Sequence, residues 1–363
     1  MAYLPLSTAN LPDPAIDPAQ GSSPEDYFGT LLFTATAGVA GSVTGLGFAP
    51  DFSWTKARNT TQSHQLFDNV RGDGVRLITN SSSASTDLGA TYLSLEDDGI
   101  DYGSSTFSSN TYVAWNWKAG TSFSNSAGTN GASIASSGSA NTDSGFSIVS
   151  YTGDSTGTDG TASTVYHGLS QAPEMIMFKP LDTYDGAVYH SGLTSASYRL
   201  VLFSASGTLG EASDNGFFNG TAPTSSVFSI GSRKHTNSNG GMIAYCFHSV
   251  EGYSKFGSYT GNGSTDGPFV YTGFRPKMLI WKRTDGSGQS WEILDDQRDP
   301  YNGVTHYLYP DTSGAENNAT AYPQDFLSNG FKIRHTGGSA NLSGGSYIYM
   351  AFAENPFKYS NAR

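Results

Sequence analysis

The residues of this chain that could do chemistry are few and scattered. Two carboxylate clusters, at residues 96–98 and 295–296, could serve a glycosidase if their carboxyl groups faced each other across a cleft. The first cluster, however, has the composition of a hairpin turn. The second places an Asp three residues before Arg298, and Asp68 precedes Arg71 in the same way, so both pairs are expected to be structural ion pairs. We therefore predict no catalytic residues and no enzymatic activity.

Histidine and cysteine give no catalytic or metal-binding pattern either. The seven histidines show neither metal-ligand spacing nor a neighbouring Gly-x-Ser-x-Gly elbow. The single cysteine, Cys246, lies in the apolar run 242–247, which predicts a buried apolar side chain. Gly-rich loops at 154–159 and 262–266 contain oxygen ligands, but they lack the pattern of a calcium loop. No metal and no cofactor are predicted.

Aromatic residues give the one positive binding signal. The five tryptophans fall at strand positions defined by a repeat described below, and we expect most of them in the core. In the middle of the chain, aromatic rings lie among Ser, Asn and Gly, a mixture that suits the recognition of sugars or proteins. The alternative, that these rings also belong to the core, stays open. The candidate ligand-binding residues are Tyr166, Tyr184, Tyr189 and Phe218.

Composition excludes two classes of partner. The net charge of -12 in 363 residues comes without any cluster of Lys and Arg, which argues against nucleic-acid binding. No apolar run approaches the length of about 20 residues that spans a bilayer, so membrane insertion is not expected. The N-terminus lacks the basic start and apolar core of a signal peptide, which predicts synthesis in a cytoplasm without a classical export signal.

A pattern of Pro, alternating apolar residues and Lys occurs three times and defines a threefold repeat. In each copy a Lys lies six positions after a Pro, with large apolar residues two and four positions after that Pro. The alternation predicts a β-strand with the Pro at its start or on a sheet edge. The three lysines are Lys56, Lys179 and Lys282.

Each copy of about 100 residues also contains an opening strand, Gly-rich turns and a strongly apolar closing strand. With 44 Gly and 13% aromatic residues, this predicts an all-β protein of three tandem, jelly-roll-like β-sandwich units in a row. We place the units at residues 27–120, 145–252 and 253–363. Residues 121–144, almost entirely small and polar, are predicted to be a linker. Residues 1–26 contain five prolines and predict an extended N-terminal arm.

Three motifs carry a family resemblance. They are Gly-Phe-x-Pro-Asp-Phe-x-Trp-x-Lys at 47–56, Leu-Phe-Asp-x-x-Arg-Gly at 66–72 and Trp-x-Trp-Lys-Ala-Gly at 115–120. Together they resemble a module of tail-fibre and other virion proteins of bacteriophages from marine and cyanobacterial hosts. The resemblance covers residues 27–363, is weak in the second unit, and implies a structural, adhesive component of the virion without family-wide catalytic residues.

The resemblance and the composition together predict a tail-fibre or tail-tip adhesin in the phage particle. A homotrimer is expected, with a glycan or protein of the host surface as a further partner. The arm would dock on another virion protein through Tyr3, Leu4, Leu6, Leu11 and Ile16. The alternatives are a capsid head-fibre or decoration protein, a carbohydrate-active depolymerase, and a purely structural spacer.

Overall fold

The computed structural model describes residues 11–157, 159–204 and 206–360, and it confirms the all-β sandwich architecture. Within these ranges the helical elements are one single-turn helix, α1 (Lys234–Asn237), and three short 3₁₀ turns, Pro18–Gln20, Pro24–Asp26 and Phe357–Tyr359. No helix in the described part of the chain is long and apolar enough to cross a membrane.

The first unit is a sandwich of a six-stranded and a three-stranded antiparallel sheet. Its strands are β1 (Phe28–Thr34), β2 (Gly41–Thr44), β3 (Phe52–Ala57), β4 (Gln65–Asp68), β5 (Val75–Ile78), β6 (Thr86–Asp87), β7 (Leu93–Glu96), β8 (Gly99–Tyr102) and β9 (Thr111–Trp117). The large sheet has the order β1-β9-β3-β4-β5-β6, and the small sheet has the order β2-β8-β7. The predicted hairpin turn at 96–98 is confirmed, because it joins β7 to β8.

The second unit has an eight-stranded sheet in the order β10-β11-β12-β19-β14-β15-β16-β17 and a two-stranded sheet, β13-β18. Its strands are β10 (Thr121–Asn125), β11 (Ser136–Asn141), β12 (Phe146–Tyr151), β13 (Ser163–Tyr166), β14 (Met175–Pro180), β15 (Gly186–His190), β16 (Tyr198–Leu202), β17 (Ala212–Ser213), β18 (Val227–Ile230) and β19 (Met242–Phe247).

The third unit has a large sheet in the order β20-β28-β22-β23 and a small sheet in the order β21-β27-β26, with a separate pair β24-β25. Its strands are β20 (Ser254–Thr260), β21 (Phe269–Tyr271), β22 (Phe274–Arg283), β23 (Glu292–Asp295), β24 (His306–Tyr307), β25 (Asn317–Asn318), β26 (Gln324–Leu327), β27 (Gly330–Ile333) and β28 (Ser346–Pro356). Pro276 lies within β22, at a shift in the pairing register, where a missing N–H is tolerated.

The predicted Ser/Gly linker at 121–144 is wrong. Strands β10 and β11 lie in this segment and extend the large sheet of the second unit, since β11 pairs with β12 along its whole length. Composition misled the prediction because the segment is ordered by backbone hydrogen bonds to a neighbouring strand, which small polar side chains do not prevent. Phe123 supplies an apolar anchor against the core of that unit.

The three sandwiches do not follow one another in a row, because one face of each large sheet packs on a core shared by all three units. The alternation in the Pro-containing strands decides which residues face this shared core. Its members there are Phe52 and Trp54, Met175 and Met177, and Met278 and Ile280. The residues between them in β14 and β22, such as Ile176 and Leu279, instead face the local core of their own sandwich. Each large sheet is therefore buried on both faces within one chain.

Strand register makes positions in the three units equivalent. Trp54 lies opposite Trp115, Met177 opposite Tyr245, and Ile280 opposite Met350. The Pro-containing strand also pairs with the next strand along the chain, and this pairing gives one more set of equivalent residues. They lie opposite Phe52, Met175 and Met278. That set is Asp68, His190 and Asp295.

Both predicted ion pairs are confirmed, and the aspartate of each pair also bonds to a neighbouring unit. Arg71 Nε lies 2.6 Å from Asp68, and Arg298 Nε lies 2.6 Å from Asp295, with all four side chains buried. Asp68 also accepts a hydrogen bond from the Tyr245 hydroxyl of the second unit, at 2.7 Å.

The contact of the third unit with the first has the same form. Asp295 accepts a hydrogen bond from the indole Nε1–H of Trp115, at 3.0 Å. Tyr245 and Trp115 occupy equivalent positions in their closing strands, so each aspartate binds the same place on a neighbouring unit.

The second unit contacts the third, so that each unit bonds to both of the others. This contact uses a histidine in place of an aspartate. The N–H of Gly192 donates to His190 Nδ1 at 2.9 Å, so Nε2 carries the ring proton and donates to the Tyr349 carbonyl of the third unit at 3.2 Å. The neighbouring residue at the position of Trp115 is Met350, which has no donor for an aspartate. A histidine that donates to the backbone therefore replaces the aspartate that accepts from a side chain.

The three repeat lysines are buried and hold the loops that follow their strands. The Lys179 ammonium donates to the carbonyls of Ser82, Asp182 and Tyr184, at 3.3, 3.3 and 2.6 Å. Lys56 donates to the carbonyl of Ala57 at 2.7 Å and to that of Thr60, in the loop after β3, at 3.5 Å. Lys282 donates to the carbonyl of Gln289 in the loop after β22. Burial lowers the pKa of each of the three to about 8.

The described part of the N-terminal arm packs on its own chain. Ile16 is 2% exposed and belongs to the shared core, and its N–H donates to the Glu251 carbonyl at 3.3 Å. Asp17 accepts a hydrogen bond from the Tyr359 hydroxyl at 2.5 Å. The prediction that Ile16 docks on another virion protein is therefore wrong. Leu11 is half-buried, whereas Tyr3, Leu4 and Leu6 lie outside the described residues.

Candidate functional site

Two of the four predicted ligand-binding residues are core residues. Tyr189 and Phe218 are buried between the sheets of the second unit, where their rings meet edge to face with centroids 5.5 Å apart. Neither ring is available to a ligand, so the prediction that they bind one is wrong. The alternative, that these rings belong to the core, holds for both. An aromatic residue among small polar residues had indicated exposure, but both rings are covered by tertiary packing.

The other two predicted residues are half-buried and lie on different elements. Tyr166, in β13, packs edge to face on Phe123 at 5.5 Å. Tyr184, in the turn between β14 and β15, packs edge to face on His235 at 4.6 Å. Each ring is engaged with a different part of the unit, so the four residues do not form one site.

An open cavity of about 330 Å³ in the third unit gathers aromatic and polar groups instead. We call it the tyrosine pocket. Strand β23 supplies its buried carboxyl group, β24 and the residues after it supply two tyrosines, and the turn before β26 supplies a third. The residues that define it are Glu292, Tyr307, Tyr309, Asn317, Tyr322 and Ser339.

The hairpin of β22 and β23 fixes the carboxyl group. Glu292 lies opposite Trp281 in the register, and the Trp281 indole N–H donates to Glu292 Oε2 at 2.8 Å. The equivalent residue is Gln65 in the first unit and Ala187 in the second. A carboxyl group at this position is therefore a feature of the third unit alone among the three.

Glu292 is 5% exposed, and this burial raises its pKa to about 7. Asp311 raises the pKa further, whereas hydrogen bonds from Ser339 and Trp281 and the charge of Lys282 act in the opposite direction. Near neutral pH the group is present in both protonation states, so it can accept or donate a hydrogen bond.

The tyrosine hydroxyls are held by the neighbouring backbone and amides. Tyr307 Oη donates to the Tyr322 carbonyl and accepts from Gln324 Nε2 at 2.8 Å. Tyr309 Oη accepts from Asn317 Nδ2 at 3.2 Å. Burial raises the pKa of both phenols, so both keep their protons at neutral pH.

Tyr322 forms the rim of the pocket. Its side chain is 47% exposed and meets the His335 ring edge to face at 5.0 Å. A Cβ at Gly337 would lie 2.7 Å from Tyr322 Cε1, closer than a real contact allows, so this glycine makes room for the ring. The ring is thus contacted by protein at His335, while nearly half of the side chain is exposed.

The pocket combines a buried carboxyl group, phenolic and amide groups, and an open aromatic face, which suits non-covalent binding of a polar ligand. The described residues contain no group of three or more His, Cys, Asp or Glu side chains that could hold a metal ion. Sequence reasoning missed the site. The available signal was Glu292 itself, a charged residue at a strand position where the sister units carry Gln65 and Ala187.

Comparison with known proteins places all three units in one family domain. No curated protein matches the chain. A family model described as a domain of unknown function, DUF7483, matches residues 23–356. This range begins in the arm, just before the first unit, and ends in β28. The chain therefore belongs to the DUF7483 family.

Proposed function

We propose that this protein is a non-enzymatic structural component of a bacteriophage virion, a tail-fibre or tail-tip adhesin that recognises the host surface. The observation that carries the proposal is the closed arrangement of three sandwich units around one core, with an open aromatic pocket on one of them. Such a body presents a binding site on a rigid support, as attachment to a cell requires.

The contacts between units support this mechanical role. The buried bonds of Asp68 with Tyr245, His190 with Tyr349, and Asp295 with Trp115 join all three pairs of units. A further, partly buried ion pair, Arg58 with Glu316 at 2.8 Å, joins the first and third units. A load applied to one unit is therefore shared by the other two.

Self-association into a homotrimer stays a prediction. The shared core does not require it, because three units of one chain already cover the inner faces of the large sheets. Light scattering of the purified protein measures the state directly. A mass near 38.4 kDa indicates one chain, and a mass three times larger indicates the trimer.

Immunogold labelling of intact virions tests the proposed location. An antibody against residues 253–363 is expected to mark the tail tip or fibres, and the same antibody pre-absorbed with purified protein is the control. Label over the head would favour a capsid fibre or decoration protein. Absence of label from the particles would refute a virion role.

An activity assay tests the proposal that the protein is not an enzyme. Purified protein is expected to release no reducing ends from host polysaccharide. Release that is lost in Glu292→Gln would favour the depolymerase alternative and would make the tyrosine pocket its active site.

A further inference from the structure

We infer that the tyrosine pocket binds one unit of a neutral saccharide, with the sugar ring packed on Tyr322 and its hydroxyl groups bonded to Glu292 and Tyr309. The inference rests on the proposed function for its biological meaning, since it gives the chemical class of the ligand that the adhesin would recognise. The binding itself is a property of the pocket and can be measured on the purified protein.

The first argument is the open ring of Tyr322. A pyranose presents an apolar face of C–H groups, and burying that face on an aromatic ring removes apolar surface from water. The ring packs on His335, and the absence of a side chain at Gly337 leaves the room that it needs. A platform fixed before binding loses little conformational freedom when a ligand covers it.

The second argument is the hydrogen-bonding capacity of the pocket floor. Trp281 and Ser339 each donate one hydrogen bond to Glu292, and a carboxyl group with two oxygens can accept further bonds. Tyr309 Oη accepts from Asn317, which leaves its own O–H free to donate. Sugar hydroxyls both donate and accept, so they match a floor that offers both roles.

The third argument is charge. The charged groups that act on Glu292 are Lys282 from β22 and Asp311 from the segment after Tyr309. Lys282 already supplies a positive charge beside the pocket, so a cationic ligand is not needed to balance the carboxyl group. An anionic ligand would be repelled by Glu292 and Asp311. A neutral ligand fits best.

The fourth argument comes from the sister unit. In the first unit the equivalent Gln65 is bound internally, since its Oε1 accepts a hydrogen bond from the Tyr92 hydroxyl at 3.2 Å. In the third unit the same position lines an open cavity of about 330 Å³, within the range of small-ligand pockets. The third unit thus has a carboxyl group and empty space where the first unit has an amide and a tyrosine.

Saturation-transfer NMR with the full chain tests the inference. The probes are the methyl glycosides of glucose, galactose, mannose and N-acetylglucosamine, with methyl glucuronide as the anionic comparison. At least one neutral glycoside is expected to bind, and methyl glucuronide is expected to bind more weakly than methyl glucoside.

Three variants assign the binding to the pocket. Tyr322→Ala and Glu292→Gln are each expected to weaken it about tenfold, the size of one lost aromatic contact or one lost hydrogen bond to a charged group. Tyr301→Ala removes a 75% exposed ring that does not line the pocket, and it is expected to leave binding unchanged. The first unit carries Gln at the position of Glu292, so the Gln variant is compatible with the fold.

Three results would overturn the inference. They are no binding of any neutral glycoside, equal binding by Tyr322→Ala and Tyr301→Ala, and tighter binding of methyl glucuronide than of methyl glucoside. These results would leave the virion proposal standing, because labelling of particles tests it separately. Binding of a neutral glycoside by a protein that is absent from virions would overturn the virion proposal alone.

Discussion

Substituting Asp295 with alanine removes the carboxyl group that joins the third unit to the first. In the native structure this group accepts hydrogen bonds from Arg298 Nε at 2.6 Å, from the Arg298 backbone N–H at 2.9 Å and from Trp115 Nε1 at 3.0 Å. The substitution leaves a buried guanidinium without its nearest counter-charge and a buried indole N–H without its acceptor.

The expected decrease in the free energy of unfolding is large. Removing one partner of a buried ion pair typically destabilises a protein by about 3–5 kcal/mol. Arg298 keeps two other partners, Glu316 and the Ile293 carbonyl, each at 3.0 Å, which reduces its loss. The unpaired donor of Trp115 adds about 1–3 kcal/mol. We therefore expect Asp295→Ala to lower the free energy of unfolding by about 4 kcal/mol.

Urea denaturation followed by tryptophan fluorescence measures the change. A matched control is Asp266→Ala, which removes the same side chain from an ion pair with Lys332 in which the aspartate is 84% exposed. Solvent screens this pair, so the control is expected to change stability little. If the Asp295 variant were as stable as the control, the reasoning about the buried pair would be wrong.

A double-mutant cycle isolates the contact between units. Trp115→Phe keeps an aromatic ring but removes the indole N–H that reaches Asp295. The two substitutions are expected to couple by about 1.5–3 kcal/mol, the value of a hydrogen bond to a charged group. Additive effects would show that the bond between the units contributes nothing measurable.

Four further predictions follow from the same contacts. Because one core is shared, urea should unfold the chain in a single transition by both fluorescence and circular dichroism, and separate transitions for the units would contradict this. Ile16→Ala should lower the free energy of unfolding by about 2–5 kcal/mol in that assay, as for other core truncations, and a change near zero would show that the arm is not part of the core. In the folded chain the pKa is about 8 for Lys56, Lys179 and Lys282, below the ordinary lysine value of 10.5. Between these two pH values the unfolded chain therefore binds more protons than the folded chain. Stability should therefore rise from about pH 8 toward about pH 10, by at most about 3 kcal/mol per lysine, and Lys179→Met should reduce the rise in urea midpoints. The pH dependence of stability that Glu292 contributes has the opposite sign. Its pKa rises from 4.5 in the unfolded chain to about 7 in the folded chain, so the stability it contributes is complete below pH 4.5 and is lost as the pH rises through 7. Glu292→Gln should flatten this decline.

Much of the strand structure could be predicted from the sequence, because strands produce local patterns of alternating apolar residues. The alternation around Met278 and Ile280 marks a strand, and the closing strands are confirmed as central strands of their sheets. The Asp-x-x-Arg spacing gave both buried ion pairs. The same reasoning failed at 121–144, because pairing of β11 with β12 orders the backbone regardless of side-chain hydrophobicity.

The candidate site could not be predicted in the same way. Glu292, Tyr309 and Tyr322 are separated along the chain, and their meeting depends on how the segments around β24, β25 and the turn before β26 pack beside β23. Tyr189 and Phe218, which sequence reasoning preferred, resemble binding residues in composition but are covered by the fold. Exposure is a property of the packed chain, and neighbouring residue types indicate it poorly.

By itself, the sequence determined that the protein is all-β, that it has three related units, and that the closing strand of each unit is apolar enough to be buried on at least one face. The tertiary structure alone decided what covers the second face of each large sheet. Hydrophobic burial is not directional, so an apolar face can be satisfied by a second chain or by another part of the same chain. The contacts of Asp68, His190 and Asp295 with neighbouring units are directional, and they accompany a shared core built by three units of one chain.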